Sequence, residues 1–401
     1  MPMVTPLSRL ANQTYHYLRA LQSSGPNYMI LFVTARCNLR CPHCFYIKEI
    51  ESADKDRELR LDEFEKISKS LPNLLQLTCT GGETFIRNDI VEIIKLFYKN
   101  SNTRFFTLTT NGTLPEKIAE KVEEISLACP NAIIRIPLSL DGTAEIHDLA
   151  RAKTGTWKKT LKTYELLRAL ADSRDNVRLD ITSVLSKLTE AKIPELIQYV
   201  KEQMRIENHT VLYARGDIRD KDKIVPEELR YKEMVTKTFD RRRKKYDFPL
   251  ISRIFVRLRE AIESVIVVVQ EKGDMPLACT AGERLIEMNE YGKLFPCEIL
   301  NSLIREKKVF REPGFEESWM GDVRDYDYDV IKTMNSEQAK KVRDFIQNKG
   351  CACTFECAIG ASIAFEPSNI WRLFKWKPKL LDLKDSGTDA STSTSLSGHI
   401  K

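Results

Sequence analysis

Short apolar runs alternate with stretches of helical period through the first half of this 401-residue chain. Residues 7–21 carry an amphipathic helical pattern that stops at Ser23-Ser24-Gly25-Pro26. The run YMILFVT at 28–34 is almost continuously apolar, as a buried strand must be. Comparable runs follow at 74–80, 104–110, 132–140, 177–185 and 210–214. Between them the 3.6-residue period predicts helices over 61–71, 90–98, 115–128, 157–171 and 193–204. Strands alternating with helices in this way predict an α/β fold: a parallel sheet with right-handed crossovers, open or curled into a partial barrel. Ligands of such a sheet lie at the C-terminal ends of its strands.

The pattern changes after Asp217. Two long helices are expected over 226–246 and 251–269, joined by the basic run 241–245. That run reads as a solvated helix face, because no aromatic residues interleave for stacking on nucleic acid. Residues 284–288 and 293–296, split by Asn289-Glu290-Tyr291-Gly292, form a hairpin pattern. A helix over 336–348 precedes the last cysteines, and from 385 onward a Ser/Thr/Gly/Asp tail has too little apolar content to fold. The segment 370–378 reads as a short packing helix, with a basic interfacial helix as its alternative. No internal repeat is present.

Composition narrows the class. At 42% hydrophobic and 30% charged residues the chain is globular, and a net charge of +6 is too dilute to argue for nucleic acid. No uncharged apolar stretch reaches the about 20 residues of a bilayer span. The N-terminus has no secretory signal, so a cytoplasmic location is expected. In a reducing compartment, clustered cysteines are metal ligands before they are disulfides. Ten are present, and eight of them cluster: Cys37, Cys41, Cys44, then Cys279, Cys297, Cys351, Cys353 and Cys357. Cys79 and Cys129 stand apart and read as buried, inert thiols.

Cys37-Asn-Leu-Arg-Cys41-Pro-His-Cys44 is a C-x3-C-x2-C loop directly after the first strand. Three thiolates on one short loop can hold three corners of a four-iron cluster and leave the fourth iron open. Zinc would need a fourth donor, for which only His43 is in the loop. At this point the chain resembles the radical S-adenosylmethionine (radical SAM) superfamily. Thr80-Gly81-Gly82-Glu83 after the second strand matches that family's GGE motif, with Thr84 where the family usually has proline. Alone, Gly-Gly-Glu would be an ordinary turn; beside the cysteine loop it is a motif.

The resemblance implies a partial (β/α)6 TIM-like barrel in which Gly81, Gly82 and Glu83 meet the methionine ammonium of the cofactor. It implies that His43 stands where adenine packs, and that Ser139, Asp141 and Arg151 serve the ribose and carboxylate. Asn111, ending the third strand, is either a further cofactor contact or a plain turn residue. The implied chemistry is reductive cleavage of S-adenosylmethionine at a [4Fe-4S] cluster on Cys37, Cys41 and Cys44, giving a 5'-deoxyadenosyl radical.

The second group, Cys279-x12-Gly292-x4-Cys297 followed by C-x-C-x3-C, resembles the opening of the family's SPASM or twitch extension. Five cysteines stand where the full SPASM pattern has seven, so one auxiliary [4Fe-4S] cluster is expected. Cys279, Cys297 and Cys357 are its firmer ligands, with Cys353 or Cys351 as the fourth and structural zinc as the rival occupant. The implied organisation is an N-terminal helix (1–27), a radical SAM core (28–222), a helical connector (223–275), a cluster-binding domain (276–365) and a C-terminal segment with the tail (366–401).

The function implied is hydrogen abstraction from a small molecule or short peptide, with net oxidation assisted by the auxiliary cluster. An external one-electron donor such as flavodoxin or ferredoxin is implied as well. A ribosomal-peptide maturase is the alternative among enzymes, although 36 residues before Cys37 leave no room there for a leader-binding module. A sulfatase maturase would carry the full seven cysteines, and an epimerase a hydrogen-donor residue that the sequence does not single out. Tyr213, Arg215 and Tyr291 are substrate-facing candidates for which packing roles are expected. Outside the enzymes, an electron-transfer or structural metalloprotein would leave the GGE turn and the Ser139–Asp141 strand end unexplained.

Overall fold

The computed structural model describes residues 4–226 and 249–369. All but the first residue of the helix expected over 226–246, with its basic run, fall outside the described residues, as do the segment 370–378 and the tail.

The six expected strands form: β1 (Tyr28–Thr34), β2 (Gln76–Gly81), β3 (Phe105–Leu108), β4 (Ile133–Ser139), β5 (Val177–Leu185) and β6 (Asn208–Tyr213). They pair in parallel and in sequence order, with β6 at one edge of the sheet. β6 does not pair back to β1, so the (β/α)6 barrel is partial. The second half of the chain adds β7 (Leu285–Met288), β8 (Lys293–Phe295) and β9 (Gly321–Asp322). β7 joins β1 in parallel and continues antiparallel into β8 and β9, giving one nine-stranded sheet.

Alternation along β4 separates the two faces of this sheet. Ile134, Ile136 and Leu138 are fully buried under the helices Pro115–Ala128 and Thr156–Ser173, while Arg135, Pro137 and Ser139 on the other face stay half-buried. At β4 the concave side is therefore reached by solvent, and the convex side is core. β1 is buried along its whole length because β2 and β7 flank it. Burial of such Ile, Leu and Phe side chains contributes about 1.5–3 kcal/mol each.

The helix Pro6–Gln22 begins at Thr5, whose hydroxyl accepts from the Ser8 amide. Its Arg9 donates to the Pro130 carbonyl at 2.9 Å and pairs with Asp175, and Tyr17 donates to the Ala364 carbonyl at 2.7 Å. This N-terminal helix is thus fastened to the turns that precede β4 and β5 and to the helix Glu356–Phe365. The short helices Ile47–Glu51 and Ala144–Ala150 and the apolar helix Glu356–Phe365 were not expected from the pattern. The last is buried on nearly all sides, so it has no polar stripe to give a period.

Candidate functional site

The cluster loop leaves β1 at Thr34 and is held from beneath by the Gly81-Gly82-Glu83 turn. The Gly82 amide donates to the Thr34 carbonyl at 2.8 Å and the Glu83 amide to the Arg36 carbonyl at 2.9 Å. A Cβ on Gly81 would lie 2.2 Å from the Thr34 oxygen, and one on Gly82 2.2 Å from the Arg36 oxygen. Gly81 also has φ +124°, which side chains disfavour. The close approach these glycines permit is therefore to the chain's own cluster loop.

Glu83 is 1% exposed. One carboxylate oxygen accepts from Thr110 Oγ1 (2.8 Å) and the Phe85 amide (3.2 Å), and the other from the Asn111 amide (2.8 Å). Burial raises its pKa while these donors oppose the shift. The motif carboxylate, expected to meet an ammonium, ties the ends of β2 and β3 together here. Asn111 in turn donates to Asn38 Oδ1 at 2.9 Å and approaches Cys37 Sγ at 3.9 Å, while its own Oδ1 accepts from Thr113. Asn111 thus reaches the cluster loop itself.

Behind Cys41 lies a buried charge pair. Asp141, 0% exposed, accepts from the Val184 amide at 2.8 Å and stands 2.6 Å from Arg151 Nη2. Arg151 Nη1 approaches Cys41 Sγ at 3.8 Å. Burial raises the pKa of Asp141, but the Arg151 cation and the neighbouring histidines outweigh it and hold the value low. His43 Nε2 is 3.6 Å from Asp141, and burial lowers the His43 pKa to about 4, so its ring is neutral at pH 7. His147 receives the Asp141 amide on Nδ1 at 3.2 Å and is likewise lowered to about 4, first by burial and then by Arg151. Asp141 and Arg151, expected to serve ribose and carboxylate, engage one another in this structure. Ser139 ends β4 on the concave face, its amide on the Thr110 carbonyl at 3.0 Å.

Cys37, Cys41 and Cys44 are half-buried neighbours. Burial pushes Cys37 up to about 11 and Cys44 to about 12, and raises Cys41, so a metal must displace their protons. Among the described residues no three thiol, imidazole or carboxylate groups close around a single ion. Tetrahedral zinc would require thiolates about 3.8 Å apart, whereas a four-iron cluster gives each thiolate its own iron. Beside the loop, His43 Nδ1 and Arg151 Nε are buried without hydrogen-bond partners. Three thiols on one loop and orphaned polar atoms beside it fit an iron–sulfur cluster with a polar co-ligand.

The later cysteines meet across the β7–β8 hairpin. Cys297 faces Cys353, Cys351 and Cys279, and Cys351 and Cys353 both feel Cys279. Cys351 is delivered by a bridge to Val309, and Thr280 is pinned by Ser362 Oγ at 3.0 Å. Cys357, expected among the firmer ligands, differs: its leading partners are Tyr28, Glu298, Glu356 and Arg215. Tyr28 in turn hydrogen-bonds Thr78 at 2.9 Å inside the barrel.

The remaining candidates have packing partners. Arg215 pairs with Glu356 at 2.5 Å and donates to the Thr354 carbonyl, stitching the end of β6 to the last cysteine loop. Tyr213 donates to the Pro226 carbonyl, and Tyr291 accepts from the Asp54 amide at 3.1 Å. Cys79 and Cys129 are fully buried. Sequence reasoning passed over Tyr28, Glu287 and Glu298. A glutamate inside the apolar run LIEM of β7 was the available signal.

Residues 31–200 match the family description of the Radical SAM superfamily. That stretch is a radical SAM domain. Members bind a [4Fe-4S] cluster and S-adenosylmethionine, and the donor set above fits both. The chain is similar to an AdoMet-dependent heme synthase of Methanosarcina barkeri, 27% identical over 345 residues that cover 82% of this chain and 88% of that one. It is also similar to a GTP 3',8-cyclase of Clostridium perfringens, 30% identical over 179 residues, 44% of this chain and 52% of the cyclase. Among solved structures, anSMEcpe with bound AdoMet shares the fold at a TM-score of 0.56 and 17% identity, covering 89% of this chain and 97% of that one. The same protein has been solved with AdoMet and the Kp18Cys peptide. No helix among the described residues is long and apolar enough to cross a membrane.

Proposed function

We propose that this radical SAM enzyme oxidises a small molecule or short peptide at the mouth of the partial barrel, and that a second, auxiliary [4Fe-4S] cluster is held by Cys279, Cys297, Cys351 and Cys353. The observation that carries the reading is the convergence on the C-x3-C-x2-C loop of three strand ends: Gly81–Glu83, Asn111 and Asp141 with Arg151. When bound, the first cluster and S-adenosylmethionine supply a 5'-deoxyadenosyl radical for hydrogen abstraction, and the auxiliary cluster supplies an electron acceptor.

The chain's own work is positioning. Glu83 locks β2 to β3, so the loop carrying Cys37 sits at a fixed height above the sheet. Arg151 directs positive charge at Cys41 and keeps Asp141 ionised at the end of β4. Neutral His43 presents an uncharged ring beside them. On the far wall, Glu298 is pushed up to about 7, mainly by burial, and can take up the proton that a net oxidation releases. The half-buried residues of the concave face leave room for substrate between the two thiol groups. A peptide-bound structural neighbour supports a peptide as one substrate form. An external flavodoxin- or ferredoxin-type donor completes the cycle.

The test is anaerobic reconstitution with iron and sulfide, then reduction with S-adenosylmethionine and assay for 5'-deoxyadenosine. About eight irons per chain and reductant-dependent 5'-deoxyadenosine are expected. Zinc at both sites with no cleavage would overturn the enzyme.

A further inference from the structure

The wall of the barrel formed by β7 and the turn after it carries buried carboxylates that no cation balances. Glu287 lies in register with Ile30 of β1, on the concave face that Tyr28 shares with Thr78. It is 8% exposed, and its Oε2 has no hydrogen-bond partner. The charged groups that act on it most strongly after burial itself are three further carboxylates, Glu298, Glu290 and Glu49.

Glu290 is 0% exposed; Tyr46 donates to its Oε2 at 2.5 Å, and its Oε1 is unpartnered. The cations in the neighbourhood have other partners. Arg215, which faces Glu298, is held by Glu356, and Lys48 pairs with Asp217 at 2.8 Å. Buried, unpaired carboxylates destabilise a fold, and apolar residues of similar volume would pack the same wall at lower cost. Their placement at and just past the C-terminal end of β7, opposite Ile30 of β1 on the concave face, points to a partner that is not part of the chain.

We propose that Glu287 and Glu290 bind a cationic group of the substrate, a primary ammonium, at the end of the chamber nearest the auxiliary thiols. This names the substrate class within the function proposed above and rests on that reading. Glu287 is the primary contact, through its unpartnered carboxylate, and Glu290 adds its free oxygen. Arg215 keeps Glu356 out of the site, so the cation meets only the β7 wall. Substrates with an amine are selected over isosteric alcohols because only a cation offsets the cost of ionising a buried carboxyl beside other carboxylates, which a neutral hydroxyl does not.

The probe is n-butylammonium, compared with n-butanol and butyrate, on the anaerobically reconstituted protein by saturation-transfer NMR. The readout is binding and needs no turnover, so failure to cleave S-adenosylmethionine would sink the enzyme reading without touching it. The expected result is a preference of about ten-fold for n-butylammonium over n-butanol, with butyrate weaker still. Glu287→Gln should reduce that preference to within about two-fold, and Glu287→Asp should keep most of it. Iron content and melting temperature of each variant report whether it folds. The cofactor's own ammonium is the other possible source of this charge. Saturating S-adenosylmethionine should therefore leave n-butylammonium bound, and displacement would overturn the proposal. Equal binding of amine and alcohol, or a preference unchanged in Glu287→Gln, would overturn it as well.

Discussion

The two thiol groups of this chain are built in opposite ways. Cys37, Cys41 and Cys44 lie within eight residues, and the segments after β3 and β4 turn an amide and a guanidinium towards them. Cys279, Cys297, Cys351 and Cys353 are gathered over a span of more than seventy residues by a hairpin and a loop bridge. Their surroundings are acidic, with Glu298 adjacent to Cys297 and Glu287 on the nearby strand. Donors aimed at thiolates stabilise their anionic, metal-binding form, whereas carboxylates disfavour it. The first group is thus a prepared seat at the barrel mouth, and a cluster on the second, as proposed, would tie separate segments together.

The largest effect that divides them is catalytic. Cys41→Ala should reduce 5'-deoxyadenosine to background, while Cys297→Ala should keep cleavage and lose about four of the eight irons. Equal loss in both variants would erase the distinction. Asp141→Asn comes next, because it strips the partner from a buried Arg151. A cost of about 3–5 kcal/mol is expected in denaturant unfolding, with iron lost from the first site before the second. Gly82→Ala forces a Cβ against the Arg36 carbonyl and should cost about 1–3 kcal/mol while loosening the same loop.

The pH dependence carried by histidines is smaller and belongs to the first site. His43 and His147 titrate near 6.5 when unfolded and near 4 when folded. Between those values the unfolded chain binds more protons, so their contribution is full above pH 7 and is lost as pH falls towards 4. Buried carboxylates such as Glu83 and Glu287 have raised values and act in the opposite sense, so the informative quantity is the difference between variant and parent. His147→Gln should flatten the fall in urea midpoint between pH 7 and pH 5 by the equivalent of about 2 kcal/mol or less. An unchanged slope would mean that His147 is protonated in the fold.

What could be read from the chain divides along the same line. Local signals carried the barrel: YMILFVT needs no partner to read as a buried strand, and Cys37 to Cys44 lie in one loop. The second region escaped wherever its meaning depended on contacts distant in sequence. Nothing in LIEM reveals that β7 extends the sheet at β1, and the helix Glu356–Phe365 has no polar face to mark it. Glu83, Asp141 and Arg151 were visible as motif residues. Their structural partners Thr110, Cys41 and Val184 were not, because hydrogen bonds across strand ends leave no periodic trace.

The smallest expected effect is the sharpest test of the second group. From the sequence, Cys357 ranks as a firmer ligand than Cys353 or Cys351, one of which is expected as the fourth. In the fold its leading contact is the Tyr28 hydroxyl on the barrel side, while Cys351 and Cys353 face Cys279. If that separation is real, Cys357→Ala should reconstitute with iron within about one equivalent of the parent, and Cys351→Ala should not. A thiol left free also stays open to alkylation by iodoacetamide in the loaded protein, whereas a ligand is protected. Protection of Cys357 with loss of iron on its removal would move the auxiliary site about one helical turn and bring it against Tyr28. The substrate chamber would then be bounded by the cluster itself, with no thiol standing between them.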